Sequence, residues 1–394
     1  MHVGFYTPTA PGHVNPELPL VSELVRRGHR VSYAVGRELA DLVRAAGADP
    51  VPLPSAAPES PGDWAEFDAQ ALASILEQAL DWFRLELPVL RAHFGADRPD
   101  LLCFDPINPY GRLVADLFAA PAVAVIPNLA GHPDQPVADI FTSDSFDFAD
   151  PRLVAAQRAM ADFAAANGLG ELPDTMNEVP APLNIVYVPK EFQPGGETFD
   201  ERYRFVGPSP RREDAGSWRP PETGRPLVFV SLGTAYNARP DFFRMCLEAF
   251  ADGRWDVALS AGHRVDRAEL GPIPSNVDVR PHFPQLAVLE RADAFVSHCG
   301  MGSTMESLAA GVPLVAAPQV PEQRANARRV EELGLGRVLT DPAPEEIRAA
   351  VDHVATDPGI RRNLDAMRRA VTSGGGAVAA ADALEEHARR SALA

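Results

Sequence analysis

A glycine-rich turn between a strand-like run and a helical pattern is the clearest chemical feature of this chain. The apolar run at 294–296 leads into the turn HCGMGS at 298–303, and apolar residues at helical spacing follow at 305–309. The helical pattern ends at the sequence GVP, and a second apolar run comes next at 314–317. The first backbone N–H groups of a helix have no partners within it, and the helix dipole adds to their attraction for anions. We therefore predict that a diphosphate binds at this turn with little help from cationic side chains.

Two further polar residues stand where strands of a predicted parallel sheet end. His13 lies between the first strand-like run and a helical pattern at 14–27, and a second strand follows at once, so the chain opens with a β-α-β unit. Ligands of such units collect at the carboxyl ends of the strands. Asp105 closes another predicted strand, 101–105, and should lie at the same edge of the sheet as His13. The turn TPTAPGHVNP carries a single glycine, whereas a nicotinamide-binding turn needs G-x-G-x-x-G, which argues against a dehydrogenase.

Length and composition limit the classes of function that this chain supports. Its 394 residues, of which 46% are hydrophobic, fit two domains of roughly 150–200 residues each. A net charge of −18 argues against a nucleic-acid or membrane partner, since both need a basic face. Cys103, Cys246 and Cys299 have neither an even count nor metal-like spacing, so we expect no disulfide and no metal site. With no signal peptide or long apolar segment in the pattern, we expect a cytoplasmic protein.

The alternation of strand and helix patterns predicts an α/β protein with two Rossmann-like domains that face each other across a cleft. We expect an N-terminal domain at 1–207 and a C-terminal domain at 227–376. The Pro- and charge-rich stretch 208–226 is the predicted linker. After three consecutive glycines, residues 377–394 are expected to form a helix that crosses back to the first domain.

Aromatic residues in two segments of the first half are candidates for an apolar pocket. The stretch 128–150 mixes Asp, Pro and Phe without a clear period, and a long helical pattern runs from about 64 to 94. We interpret 128–150 as an excursion that lines the pocket, with a surface loop carrying packed aromatics as an equal alternative. The candidate pocket residues are Trp64, Trp82, Phe83, Phe141, Phe146 and Phe148. For Trp64, Trp82 and Phe83, ordinary core packing is the favoured alternative.

The C-terminal half carries a resemblance to a known family. The run HFPQ…SHCGMGSTMESLAAGVPLVAAPQVPEQRANA resembles the nucleotide-sugar signature of GT-B family 1 glycosyltransferases, above all the bacterial macrolide and natural-product enzymes. The opening GFYTPTAPGHVNPELPLVSELVRRGHRVSY is similar to the N-terminal pattern of that family. The resemblance implies that a hexose passes from a UDP- or dTDP-sugar to a hydroxyl of a macrolide, polyketide or polyphenol. It implies no cofactor beyond the sugar nucleotide and no metal.

The resemblance also assigns roles to single residues. His282, where relatives often carry Trp, would stack on the nucleobase, and Phe283 would meet the base through its backbone. Glu306 would bind the ribose hydroxyls, while Glu322 and Gln323 would contact the hexose hydroxyls, a pair that suits glucose. The residues that would hold the diphosphate are Ser231, Thr234, His298, Met301, Gly302 and Ser303.

On the acceptor side, the resemblance makes His13 the catalytic base and Asp105 its carboxylate partner. Inverting transfer needs one base for the acceptor proton and one site for the departing nucleotide, with no covalent intermediate. Histidine suits this task because its pKa lies near neutrality, and a helix start favours its neutral form. A carboxylate on the other ring nitrogen fixes the tautomer and stabilises the imidazolium. The plainer alternatives are that His13 packs against the helix start and that Asp105 forms a turn before Pro106.

Two other functions share these features. A nucleotide-sugar 2-epimerase has the same two-domain architecture but needs no acceptor pocket. A non-catalytic activator paralogue of a glycosyltransferase should have lost the base, whereas His13 and Asp105 are both present. The partners that we expect are a nucleotide-sugar donor and a hydrophobic small-molecule acceptor. The sequence does not show the oligomeric state, and a homodimer stays open.

Overall fold

A computed structural model describes most of the chain and divides it into two compact units. The described residues are 1–54, 67–136, 140, 142, 146–172, 180–209, 218–234 and 237–393. One unit comprises residues 1–209 with 373–394, and the other comprises residues 210–372. None of the described helices combines the length and the apolar character needed to cross a membrane.

The first unit is built on a parallel sheet whose described strands run in the order β3-β2-β1-β4-β5-β6-β7. The strands are β1 (His2–Tyr6), β2 (Arg30–Gly36), β3 (Asp49–Leu53), β4 (Leu101–Phe104), β5 (Ala122–Ile126), β6 (Leu183–Val186) and β7 (Tyr203–Phe205). The α-helices are Pro11–Arg26, Ala40–Ala45, Ala69–Ala96, Gly111–Leu117, Pro151–Ala166 and Gly376–Ser391. The central strands read as continuous apolar runs because both faces of the sheet are covered. Tyr6 pairs with Phe104, so the segments after β1 and β4 leave the sheet side by side.

The second unit repeats this plan with described strands in the order β10-β9-β8-β11-β12-β13, again all parallel. The strands are β8 (Leu227–Ser231), β9 (Asp256–Ser260), β10 (Val277–Arg280), β11 (Ala294–Ser297), β12 (Leu314–Ala316) and β13 (Gly336–Val338). The α-helices are Pro240–Ala249, Gln285–Leu289, Met301–Ala310, Pro321–Glu332, Pro344–Thr356 and Pro358–Ser373. Ser231 pairs with Ser297, so the turns after β8 and β11 are neighbours.

The first helix, Pro11–Arg26, begins three residues before the predicted start at 14. Proline suits the first helical position, because its backbone has no N–H to leave unpaired and its φ is already helical. This earlier start places His13 inside the first helical turn, where its N–H bonds the carbonyl of Ala10 at 3.0 Å.

The predicted linker is partly a packed segment of the second unit. Residues 210–217 lie outside the described part of the chain. Trp218 is buried, and the Thr223 hydroxyl donates a hydrogen bond to the Asp256 carboxylate. Burial of a large aromatic ring is favoured by the hydrophobic effect, and this explains why the segment packs here although it is rich in proline.

The C-terminal helix, Gly376–Ser391, packs on the first unit. The N–H of Gly376 donates to the Val206 carbonyl at 2.8 Å, and a Cβ on Gly374 would lie 2.3 Å from that same oxygen. Only glycine allows the backbone to approach Val206 this closely. Beyond this entry point, Leu384 joins the apolar core of the first unit, and Asp382 pairs with Arg27 at 2.6 Å.

We predict that Leu384→Ala lowers the free energy of unfolding of the first unit by about 2–4 kcal/mol. Leu384 is fully buried, and truncation leaves a cavity that the close-packed core fills only in part. Hydrogen exchange followed by mass spectrometry on peptides from the first helix measures this change within the unit concerned.

The matched control is Val378→Ala on the same helix, where the side chain is exposed. It should change the unfolding free energy by less than about 0.5 kcal/mol. If Leu384→Ala lowered the unfolding free energy as little as Val378→Ala, the Leu384 side chain would add nothing to the core of the first unit.

Candidate active site

His13 and Asp105 meet at the carboxyl edge of the sheet in the first unit. His13 Nδ1 lies 2.6 Å from Asp105 Oδ2, a hydrogen bond between an imidazole and a carboxylate. The Asp105 side chain is 4% exposed and that of His13 is 25% exposed, so the carboxylate lies behind the ring. A histidine oriented in this way holds its proton on Nδ1 and presents the lone pair of Nε2.

The turn after β4 orients the Asp105 carboxylate. The N–H of Ile107 donates to Asp105 Oδ1 at 3.0 Å, and the N–H of Asn108 donates to the Asp105 carbonyl at 3.0 Å. These bonds place one carboxylate oxygen on the backbone and leave the other for His13. The turn-forming role that the sequence left as an alternative for Asp105 is thus present together with the contact to His13.

Sequence reasoning missed a second carboxyl group near this pair. Glu17 lies one helical turn after His13 and is 0% exposed. Its position was visible in the sequence, because Glu17 falls on the same helical stripe as Val14, Leu18 and Val21, which are all buried. A glutamate on a core-facing stripe is the signal that could have found it.

In the second unit, the turns after β8 and β11 approach each other closely. Ser231 ends β8, and its Oγ accepts a hydrogen bond from the N–H of Gly233 at 3.2 Å. A Cβ on Gly233, whose φ is +75°, would lie 2.6 Å from the His298 ring. Thr234 follows and is exposed. The glycine is required here both for the positive φ and for the approach of the ring.

His298 is a neutral imidazole at this junction. Burial lowers its pKa to about 4, while a hydrogen bond with the Ser231 backbone acts in the opposite direction. Within the part of the chain that the structure describes, its Nδ1 has no hydrogen-bond partner. A buried polar atom of this kind is costly unless a ligand satisfies it.

The helix Met301–Ala310 presents its N-terminus at the same place. Its first intrahelical bond runs from the N–H of Thr304 to the carbonyl of Gly300, so the three preceding N–H groups point out of the helix. Met301 is buried, Gly302 is exposed and Ser303 is half-buried. Met301 therefore offers the site its backbone, and Ser303 offers both its backbone and its hydroxyl.

Glu306 lies one turn further along this helix and is held by Gln285. Gln285 Nε2 donates to Glu306 Oε2 at 2.5 Å and to Ser303 Oγ at 3.1 Å. Just before Gln285, His282 is exposed, whereas the ring of Phe283 is buried against Phe229. The imidazole of His282 is thus accessible and the ring of Phe283 is not, while the stacking and backbone roles of these two residues stay predictions. Gln285 was not singled out from the sequence.

Glu322 and Gln323 begin the helix Pro321–Glu332, and other groups hold both side chains. Asn326 Nδ2 donates to Glu322 Oε1 at 3.2 Å and to the carbonyl of Cys299 at 3.1 Å. Gln323 is buried, and its Oε1 accepts from the N–H of Gln319 at 2.8 Å. Asn326 therefore ties this helix to the glycine turn, a link that the sequence pattern did not reveal.

The candidate pocket aromatics fall into different environments. Trp64 and Phe141 lie outside the described residues, and Trp82 is half-buried. Phe83 is 1% exposed and stacks on Tyr110 with ring centroids 3.8 Å apart, which favours the core-packing alternative for this residue. Phe146 packs against Phe148 at 4.7 Å, and Phe148 is 48% exposed. Phe148 is thus the described member of this set with the most accessible apolar surface.

The described residues contain neither a disulfide nor a cluster of metal-binding side chains. Cys103, Cys246 and Cys299 are all buried and free. Burial raises the pKa of the Cys299 thiol to about 12, so it stays protonated at neutral pH. No group of three or more His, Cys, Asp or Glu side chains that could hold a metal ion occurs in this part of the chain.

Comparison with known proteins identifies the family. Residues 250–386 match the family described as erythromycin biosynthesis protein CIII-like, C-terminal domain. The chain is 37% identical to the NDP-glycosyltransferase YjiC of Bacillus licheniformis, over 98% of this chain and 97% of that protein. It is 38% identical to the demethyllactenocin mycarosyltransferase of Streptomyces fradiae, over 98% of this chain and 86% of that protein.

A solved structure agrees with the sequence comparison. The calicheamicin glycosyltransferase CalG4 superposes with a TM-score of 0.85 at 35% identity, over 99% of this chain and 98% of that one. The chain thus has two parallel α/β units and shares 35–38% sequence identity with glycosyltransferases over 98–99% of its length. The chain belongs to the GT-B family 1 glycosyltransferases.

Proposed function

We propose that this enzyme is an inverting transferase that moves a hexose, glucose in the first instance, from a UDP- or dTDP-sugar to a hydroxyl of a macrolide or similar hydrophobic natural product. The observation that carries the proposal is the 2.6 Å contact between His13 Nδ1 and Asp105 Oδ2. A natural-product acceptor is supported by relatives named demethyllactenocin mycarosyltransferase, oleandomycin glycosyltransferase and calicheamicin glycosyltransferase.

In the proposed mechanism His13 is the general base. Its Nε2 takes the proton of the acceptor hydroxyl as that oxygen attacks the anomeric carbon of the donor sugar. The bond from this carbon to the diphosphate breaks on the opposite face, which inverts the configuration. Asp105 stabilises the imidazolium that forms and keeps the ring in its orientation.

The leaving diphosphate is proposed to bind at the N-terminus of the helix Met301–Ala310. The outward N–H groups and the helix dipole stabilise the charge that develops there, with no metal cofactor. His298 donates a hydrogen bond to the Ser231 backbone and its Nδ1 has no protein partner in the described residues, so the neutral ring carries its proton on Nε2 and offers Nδ1 as an acceptor for a hydroxyl of the donor. Because the pKa of His298 is lowered to about 4, the ring is neutral at physiological pH.

The other proposed contacts to the sugar nucleotide come from side chains of the second unit. Glu306, which accepts a hydrogen bond from Gln285, is proposed to accept further hydrogen bonds from the ribose hydroxyls. Glu322 and Gln323 are proposed to contact the hexose, and exposed His282 the nucleobase. Glu306 and Glu322 are acceptors from hydroxyl groups, so a sugar rich in free hydroxyls such as glucose fits better than a deoxysugar.

Of the two other functions that the sequence left open, neither has a specific observation in its favour. A 2-epimerase needs no base directed at an acceptor hydroxyl, whereas His13 is paired and oriented. A non-catalytic paralogue would not need the pair at all. Transfer to an acceptor is therefore the function that these residues support best.

We predict that His13→Ala lowers kcat for glycoside formation by about 10²–10⁴-fold while nucleotide affinity stays unchanged, because the variant removes the base and not the donor site. Asp105→Asn should also lower kcat, since an amide does not stabilise the imidazolium. The assay incubates the enzyme with UDP-glucose or dTDP-glucose and a macrolide panel, with product read by mass spectrometry and nucleotide binding by calorimetry.

The control for this experiment is His353→Ala, which removes an exposed histidine from the helix Pro344–Thr356. It should behave as the wild type. If His13→Ala instead abolished nucleotide binding, His13 would belong to the donor site and not to the acceptor. An unchanged kcat would remove it from the chemistry altogether.

We predict that Glu306→Ala raises the donor KM about tenfold or more with little change in kcat. Hydrogen bonds to the ribose are made equally in the ground state and the transition state, so their loss affects binding alone. Gln285→Ala should raise the donor KM less, because it releases Glu306 without removing it. Initial rates at saturating acceptor give both constants.

Glu290→Ala is the matched control, since this exposed glutamate lies directly after the helix that starts at Gln285. Its donor KM should equal that of the wild type. A Glu306→Ala enzyme with an unaltered donor KM would show that the ribose is bound elsewhere.

A further inference from the structure

Glu17 is a buried carboxyl group that the proposed mechanism does not yet use. It lies on the first helix, Pro11–Arg26, four residues after His13, so the two side chains project from the same face of the helix. Glu17 is 0% exposed. Any change in its position or charge therefore acts next to the proposed base.

The groups that face Glu17 come from every element packed around it. The Tyr33 hydroxyl from β2 donates to Glu17 Oε2, and Thr7 Oγ1, just after β1, lies 2.8 Å from that hydroxyl. Cys103 of β4 and Tyr187, just after β6, also interact electrostatically with Glu17. Asp105 completes the set as a charged group that acts on Glu17. Among the described residues, none of the groups that shift Glu17 is a cation.

This environment disfavours the charged form of Glu17. A buried carboxylate without a cation loses its hydration and gains nothing in return. Burial raises the pKa of Glu17 well above its usual range, and the charge of Asp105 raises it further, against the opposing hydrogen bonds from Tyr33 and Thr7. Asp105 contacts His13 and not Glu17, so it opposes a second negative charge at Glu17 without offering it a hydrogen bond.

We propose that Glu17 is a positioning residue for the His13–Asp105 pair: an uncharged carboxylic acid that braces the first helix on Tyr33 and leaves Asp105 as the single charge behind the base. This rests on the proposed function of His13. Tyr33 in turn stacks on Phe5 of β1 with ring centroids 5.2 Å apart, so the brace runs from the turn of His13 into the sheet.

The uncharged state matters for the base itself. A second negative charge beside Asp105 would stabilise the imidazolium form of His13 and remove the neutral form that takes a proton. A fully apolar side chain would avoid that charge but would remove the hydrogen bond by which Tyr33 holds the first helix, leaving Thr7 as the remaining partner of that hydroxyl. A neutral carboxylic acid meets both demands, and so does an amide of the same shape.

The test compares Glu17→Gln with Glu17→Leu. Glu17→Gln keeps the acceptor for Tyr33, so we expect a loss in kcat of less than about threefold and an unchanged acid limb of the kcat/KM profile. Glu17→Leu removes the brace, and we expect kcat to fall about tenfold or more with nucleotide affinity intact, since small displacements of a catalytic group are costly. Glycoside formation as a function of pH and nucleotide calorimetry provide these values.

A second measurement follows the charge of Glu17 without relying on activity. An acid whose pKa is raised on folding binds its proton more tightly in the folded state. The wild type therefore loses stability as pH rises above about 4.3, the usual pKa of glutamate. Glutamine does not titrate, so the stability of Glu17→Gln should not fall with pH for this reason. Relative to the wild type, its folding equilibrium constant should grow by up to about tenfold per pH unit between pH 5 and 8.

Glu23→Gln on the same helix is the matched control. Hydrogen bonds from Arg26 and Arg27 lower the pKa of Glu23 to about 2, so its contribution is complete above about pH 5 and is lost only as pH falls further. The stability difference between Glu23→Gln and the wild type should therefore be flat between pH 5 and 8. The two substitutions are chemically identical, and only the environment differs.

Three results would overturn the proposal. A flat stability difference for Glu17→Gln would show that Glu17 is ionised in the folded protein. A kcat in Glu17→Gln as low as that of His13→Ala would show that the carboxyl group itself takes part in the reaction. Wild-type kcat in Glu17→Leu would show that no brace is needed. If the wild type itself transferred no sugar, the proposed function would fail, while the stability series would still decide the charge of Glu17.

Discussion

The parallel pairing of strands is the constraint on which the candidate site in each unit depends. β1 lies beside β4 with Tyr6 opposite Phe104, and β8 lies beside β11 with Ser231 opposite Ser297. Segments that leave neighbouring parallel strands at their carboxyl ends must meet. This is why His13 reaches Asp105 across 92 positions of sequence, and why the turn after β8 closes on the ring of His298. Side chains refine this arrangement, but backbone register creates it.

An acidic protein that binds an anionic donor has to rely on local fields. The net charge of −18 opposes a diphosphate at long range, although screening by salt limits that repulsion to about 10 Å. The first turn of the helix Met301–Ala310 reads Met-Gly-Ser-Thr, with no acidic side chain, and the neighbouring imidazole of His298 is neutral. Helix dipole and N–H groups are therefore the proposed attraction, and neither depends on a basic surface.

Periodicity and motif spacing were enough to predict the two α/β units and the sheet edge shared by His13 and Asp105. They were not enough for contacts between elements. The bonds from Gln285 to Glu306 and from Asn326 to the Cys299 carbonyl join separate helices and turns, which no local pattern encodes. The burial of Phe83 depends on Tyr110 in the same way. Glu17 is a different case. Its position on the apolar stripe of the first helix predicts burial, but a charged residue is normally expected to be exposed.

Glu17 and Glu23 show why residue type alone does not give the chemistry of this region. Both belong to the first helix, yet Glu23 accepts hydrogen bonds from two arginines and its pKa falls to about 2, whereas Glu17 is buried against Tyr33 and its pKa rises. Glu23 is therefore an anion that bonds the arginines at the end of the helix, whereas Glu17 is the proposed neutral acid beside Asp105, the partner of the proposed base His13. The first helix thus combines a charged glutamate where charge is stabilised with an uncharged one where a second charge would compete with Asp105. That distribution follows from which elements face each position, and so from the same strand order that brings His13 to Asp105.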